Sequence, residues 1–173
     1  MSTQLKGSIR LAGVVRESIV DGPGIRFTVF TQGCPHHCPG CHNPQTHDPN
    51  GGYDCEMQKI LDAVEKNPLL RGITLSGGEP FEQPEQLLEL AKAVVAMGKD
   101  VVAFSGYTFE QLMEKSKERP AIKELLSLCC MLVDGRFVMA ERDLTLRFRG
   151  SRNQRLINAA ESVKKGEVVL SDL

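Results

Sequence analysis

Short apolar runs alternate along this chain with segments of helical period, and that alternation constrains the fold more than any other feature. "GITL" (72–75), "VVAF" (101–104) and "CCMLV" (129–133) are too short for buried helices and read as strands covered on both faces. "IRFTVF" (25–30) places Ile25, Phe27 and Val29 on one side, the pattern of an earlier strand. Between these runs, Met57, Ile60, Leu61 and Val64 recur at i, i+3, i+4, i+7 and predict an amphipathic helix. Leu87, Leu88, Ala91, Val94 and Val95 mark a second helix, with Pro84 in its first turn and Gly98 at its C-terminal cap. Thr108 and Gln111 form a capping box for a third, and "AIKELLSL" (121–128) continues helically after Pro120. Strands alternating with helices imply right-handed crossovers and a mainly parallel sheet.

In such sheets the loops that follow the strands emerge at one edge, where ligands bind. Each strand here is followed by an unusual sequence: "TQGCPHHCPGCHNP" (31–44), "SGGEP" (76–80), "SGY" (105–107) and "DGRF" (134–137). The four are expected to converge on one site. The 173 residues suggest a single domain, 1–173. A complete eight-stranded barrel typically needs about 250 residues. The expected fold is therefore α/β, an open, partial (β/α) barrel with mainly parallel strands. The longest weakly patterned stretch is 135–156.

Lys and Arg number 21 against 22 Asp and Glu, a net charge of −1, which gives no electrostatic case for nucleic acid or an acidic membrane surface. No apolar run reaches the roughly 18 residues of a membrane span. The N-terminal "MSTQLKGSIRLAGVV" lacks the apolar core and cleavage site of a signal peptide. A cytoplasmic protein is expected. Thiols stay reduced there, so clustered cysteines read as metal-binding or catalytic rather than as disulfides.

Cys34, Cys38 and Cys41 sit among the turn formers Gly33, Pro35, Pro39 and Gly40, a loop able to wrap three thiolates around one compact centre. A structural zinc site wants four ligands and would have to recruit His36, His37 or His42. An iron–sulfur cubane has four irons, and three cysteines would leave one of them open. Cys55, after a Gly-Gly turn, is in principle a fourth ligand. Cys129 and Cys130 lie in an apolar run, where free cysteine packs as a small hydrophobe.

The spacing Cys34-x3-Cys38-x2-Cys41, followed by "GGEP" (77–80), resembles the radical S-adenosylmethionine enzymes. "VDGPGIRFTVFTQGC" and "CHNP" narrow the resemblance to the activases of glycyl-radical enzymes. "LVDGRF" (132–137) and "RGSRNQR" (149–155) are similar to those that serve the anaerobic ribonucleoside-triphosphate reductase. The resemblance spans residues 19–155. It implies a 4Fe-4S cluster on Cys34, Cys38 and Cys41, with its open iron chelating S-adenosyl-L-methionine. Cys55 then stands outside the ligand set.

The same resemblance implies that an electron from the cluster breaks the sulfonium bond, giving methionine and a 5′-deoxyadenosyl radical. That radical takes a Cα hydrogen from a glycine of the reductase large subunit. An external, flavodoxin-like one-electron donor is implied as a second partner. By the resemblance, Gly40, Cys41 and His42 lie beside the cosubstrate, and Gly77, Gly78 and Glu79 meet its methionyl amino group. Many superfamily members carry an aromatic where this chain has Gly40, so His42 is expected to take over the stacking on adenine. Ser105 and Tyr107 are expected in the adenosine pocket. Arg147, Arg149, Arg152 and Arg155 form a basic patch that holds the methionyl carboxylate or docks the partner. The alternatives are an activator of pyruvate formate-lyase, a zinc-binding interaction module, and an electron-transfer iron–sulfur protein that would need a fourth ligand.

Overall fold

The structure, a computed structural model, describes residues 4–41 and 44–172. Its centre is four parallel strands: β2 (Arg26–Thr31), β4 (Gly72–Gly77), β5 (Asp100–Phe104) and β6 (Met131–Asp134). Antiparallel strands flank them. β1 (Ser8–Ser18) pairs with β2, β3 (Tyr53–Glu56) pairs with β1, and β7 (Arg155–Ile157) pairs with β6. The order is β3-β1-β2-β4-β5-β6-β7, so the sheet is open at β3 and β7. This is the partial barrel the sequence implied.

The central strands are apolar because both faces are covered: Ile73, Leu75, Val101, Val102, Ala103 and Leu132 are all fully buried. The covering helices are α1 (Met57–Glu65), α2 (Pro84–Ala96), α3 (Phe109–Lys115), α4 (Ala121–Leu128) and α5 (Ala159–Lys165). α2 packs against α1 and α4, and α4 against α3 and α5. The capping box is present: Thr108 Oγ1 accepts from Gln111 N at 3.1 Å, and Gln111 Oε1 from Thr108 N at 2.9 Å. Gly98 lies just past α2 with φ 82°, a left-handed conformation suited to glycine. No helix among the described residues is long and apolar enough to cross a membrane.

Two details differ from the periodicity. The run "CCMLV" begins before its strand: Cys129 caps α4, its Sγ 3.3 Å from Leu125 O, and the strand starts at Met131. Val95 stands 39% exposed, just off the buried face of α2. β1, β3, β7 and α5 carried no clear sequence signal. In β1 the register shifts between Leu11 and Gly13 and again between Val15 and Ser18, which breaks the period-two pattern that marks a strand. β3 is a short, mostly exposed edge, and β7 has three residues.

One fully buried charge ties the strands together at the end opposite the cysteine loop. Arg26 opens β2 and its side chain has no exposure. Its Nε donates to Thr74 Oγ1 at 2.8 Å, one terminal nitrogen to Pro23 O at 2.9 Å, and the other to Ile73 O at 2.8 Å and Asp100 Oδ1 at 2.5 Å. The guanidinium thus links β2, β4, β5 and the "DGPG" turn. Gly22, with φ 130°, lies over it, and a Cβ there would meet Arg26 Cδ at 2.9 Å. Replacing Arg26 by Met keeps the apolar bulk but leaves three acceptors, Thr74 Oγ1, Pro23 O and Ile73 O, without their donor, and leaves Asp100 with Arg71 alone. Breaking a buried pair from one side costs about 3–5 kcal/mol. For a chain of this size that is roughly a 10 °C fall in Tm, readable by thermal melting.

Candidate functional site

At the C-terminal ends of the parallel strands lies a cavity of about 680 Å³. Cys34, His36, Cys38 and Cys41 line it after β2, Ser76, Gly77 and Gly78 at the end of β4, Ser105 and Gly106 after β5, and Gly135 and Phe137 after β6. The four unusual loops do converge. Two further walls complete the cavity: Ile19, Val20 and Asp21 between β1 and β2, and residues 144–150 with Gln154.

The cysteine loop is closed from behind by the turn at 44–48. Gly33 N donates to Thr46 O at 2.7 Å, and Cys34 N to His47 O at 3.1 Å. The Gln32 amide donates to Gln45 O at 2.9 Å and Asp48 O at 2.7 Å. Burial pushes the Cys34 thiol up, with the charges of Glu79 and Cys38 adding to it, and Cys38 is raised by burial and then by Cys41. Among the described residues, no three His, Cys, Asp or Glu groups are placed to share a single metal ion. In a cubane each thiolate binds its own iron, so the three need not meet at one point.

The "GGEP" loop is pressed against the start of the cysteine loop. A Cβ at Gly77 (φ 94°) would meet Thr31 N at 2.4 Å, and one at Gly78 would meet Gly33 O at 2.4 Å. Gly78 N donates to Thr31 O and Glu79 N to Gly33 O, both at 2.8 Å. Only glycine permits this approach. Glu79 has no exposure, and its carboxylate faces inward to His36, Ser105 and backbone N–H groups rather than lining the cavity.

Comparison with known proteins matches this geometry. Residues 20–157 fit the family model described as a 4Fe-4S single cluster domain. An anaerobic ribonucleoside-triphosphate reductase-activating protein of Escherichia coli (strain K12) is 37% identical over 145 residues, which cover 79% of this chain and 90% of that protein. Proteins of the same name from Vibrio cholerae and from Enterobacteria phage T4 are 35% and 30% identical over 144 and 154 residues. These matches cover 79% and 84% of this chain, and 89% and 92% of those proteins. The chain belongs to the anaerobic ribonucleoside-triphosphate reductase-activating protein family.

In this member of the activating-protein family, the cavity combines apolar walls with a few buried polar atoms that have no protein partner. Among the described residues, four buried side-chain N or O atoms lack a hydrogen-bond partner, and three of them, His36 Nδ1, His47 Nε2 and Arg149 Nε, belong to residues that line it. Buried polar groups are nearly always satisfied, by protein or by ordered water, so these three atoms are open to a partner from within the cavity. Gly40 has φ 74°, and a Cβ there would meet Met139 Cε at 2.1 Å and Phe137 Cε1 at 3.4 Å. The space beside Gly40 is thus filled by the segment after β6. His42 lies outside the described residues.

Other expected site residues are distributed differently. Cys55 sits on the edge strand β3, packed against the core, and does not line the cavity. Ser105 lines it and Tyr107 does not. Tyr107 instead meets the His36 ring edge-on at 4.4 Å and donates to Glu82 Oε1 at 2.5 Å; burial and then Glu82 push its hydroxyl up.

The arginines divide. Arg147 and Arg149 line the cavity, while Arg155 leaves it to bind Asp134, which is 1% exposed, and Glu110. Phe137 belongs to the "DGRF" loop expected at the site, whereas Leu144, Leu146 and Phe148 carried no sequence signal for it, because nothing local in 138–156 shows which way it folds.

Gly78→Ala tests the loop contact. Its Cβ would strike backbone, which cannot step aside, so the expected cost is about 1–3 kcal/mol. Gly13→Ala has no atom within 4 Å of the added carbon, and is expected to stay within about 0.5 kcal/mol of wild type. Parallel thermal melts separate the two.

Proposed function

We propose that this protein installs a glycyl radical on an anaerobic ribonucleoside-triphosphate reductase, using a 4Fe-4S cluster held by Cys34, Cys38 and Cys41 and S-adenosyl-L-methionine bound beside it. The observation that carries this reading is the meeting of the three thiols and the "GGEP" glycines in one cavity with unpartnered polar atoms, in a chain of this family. When bound and reduced, the cluster supplies the electron that splits S-adenosylmethionine into methionine and the 5′-deoxyadenosyl radical, which abstracts the glycine hydrogen.

The chain's own residues bind, orient and exclude water. Cys34, Cys38 and Cys41 would hold the cluster through three thiolates and so would leave one iron for the cosubstrate. Gly77 and Gly78 present bare backbone to the cavity, which suits the methionyl amino group. Arg149 lines the same cavity with Nε unpartnered, and a guanidinium suits the carboxylate. Cys41, which also lines the cavity, would lie beside the nucleoside. Ile19, Val20, Phe137, Leu144 and Phe148 give the cavity apolar walls, which offer a bound radical few groups to react with other than its target. The electron comes from an external, flavodoxin-like donor.

The deciding experiment is anaerobic reconstitution with iron and sulfide, then reduction in the presence of S-adenosylmethionine and the reductase. The expected results are near-equal iron and sulfide, 5′-deoxyadenosine, and a glycyl doublet in electron paramagnetic resonance with gain of nucleotide reduction. A doublet on pyruvate formate-lyase offered in parallel, with none on the reductase, assigns the other activator branch. Tight zinc without acid-labile sulfide overturns the reading.

Two cysteine variants follow from the positions in the fold. Cys55→Ala is expected to keep the cluster and cleavage activity. Cys38→Ala is expected to lose one or both, as read by visible absorption and 5′-deoxyadenosine yield.

A further inference from the structure

The carboxylate of Glu79 has no room for a ligand. A carboxylate offers about four acceptor sites. Four donors already occupy them: His36 Nε2 at 2.7 Å, Gly106 N at 2.8 Å, Phe81 N at 3.1 Å, and Ser105 Oγ, shared between the two oxygens at 3.0 and 2.9 Å. The group is fully buried, and so is nearly all of the His36 side chain, at 3% exposure.

These donors come from different parts of the chain. His36 lies between Cys34 and Cys38. Ser105 and Gly106 follow β5, and Phe81 follows the "GGEP" loop to which Glu79 itself belongs. The His36 ring is also seated sideways: Tyr107 meets it edge-on at 4.4 Å, and a Cβ at Gly106 would strike it at 2.4 Å. One carboxylate therefore gathers three loops, and the cysteine loop is held to it through a single side chain.

We propose that Glu79 is a positioning residue that acts on the cluster through His36, locking the cysteine loop at its Cys34–Cys38 segment to the loops after β4 and β5, rather than a group that binds the cosubstrate. This rests on the reading that the three cysteines hold a cluster. The clamp does its work before any cosubstrate arrives, and that separates it from direct ligand binding. Releasing it frees the cysteine loop and admits water to the cluster. Cluster retention then falls. The reduction potential rises, because water stabilises the more negatively charged reduced form and solvent exposure is one of the quantities that set the potential.

The test uses the reconstituted full chain without S-adenosylmethionine. Iron release to a chelator is followed by loss of visible absorption, and the midpoint potential is measured by anaerobic titration. His36→Ala and Glu79→Ala are each expected to release iron about 10–100-fold faster, the range seen when groups that orient metal ligands are removed. Both are expected to move the potential to less negative values. The double variant is expected to be no worse than the more affected single one, since both act through one contact. His36→Gln, which keeps a donor, is expected to recover part of the loss. Circular dichroism checks folding, and if Glu79→Ala does not fold, Ser105→Ala, which removes one donor, is expected to move both readings in the same sense.

Wild-type release rates and potentials in the variants overturn the clamp, as do fully additive effects. So does a Glu79→Ala protein whose only defect is weaker S-adenosylmethionine binding, with His36→Ala unaffected; Glu79 is then a ligand group. A wild-type chain that assembles no cluster overturns the cluster reading, and the clamp with it.

Discussion

The site depends on the register of two parallel strands. Thr31 at the end of β2 pairs with Gly77 at the end of β4. The cysteine loop departs from one and the "GGEP" loop from the other, so the two begin in contact. With both residues at the same level, any side chain at 77 or 78 would occupy the backbone of residues 30–33. The glycines are a condition of the register as much as of ligand access. A shift of one residue would also turn the buried faces of β2 and β4 outward.

At the other end of the same strands, Arg26 does by charge what the glycines do by absence. It enters from β2, crosses to carbonyl and hydroxyl groups of β4 and reaches Asp100 of β5. Asp21 ties the neighbouring turn to the same strands, accepting from Ser18 Oγ at 2.5 Å and Thr28 Oγ1 at 3.1 Å, while its own carbonyl accepts from Thr74 Oγ1 at 2.7 Å. The "DGPG" sequence is thus first a structural turn wrapped on a buried guanidinium. Its position also brings Ile19, Val20 and Asp21 to the cavity wall.

The four parallel strands, their helices and the convergence of four loops were legible, because burial on both faces writes continuous apolar runs and helices write their own period. The antiparallel flanks were not. β1 is interrupted by two register shifts, β3 is an exposed edge, and β7 is three residues long. The cysteine motif and "GGEP" located the site, yet the contact between His36 and Glu79 joins residues 43 apart and leaves no local pattern. The basic run at 147–155 illustrates the same limit. As sequence it is one patch, whereas in the fold Arg155 binds Asp134 and Glu110 while Arg147 and Arg149 turn to the cavity.

The parallel series stops at β6, because β7 returns antiparallel beside it. A further strand–helix unit would have built that side of the cavity from sheet. Instead it is built from residues 135–154, which hold only a short 3₁₀ turn at Met139–Glu141 and a bridge between Arg142 and Ser151. Such a wall bears little of the core, and loops of this kind tolerate insertion and substitution far better than the elements they join. The half of the cavity built on the sheet and the outer wall built from loop are therefore different kinds of structure, meeting where Met139 packs beside Gly40. One can be held constant while the other is recut, which gives a chain of this architecture a way to change the protein it serves without rebuilding the chemistry it performs.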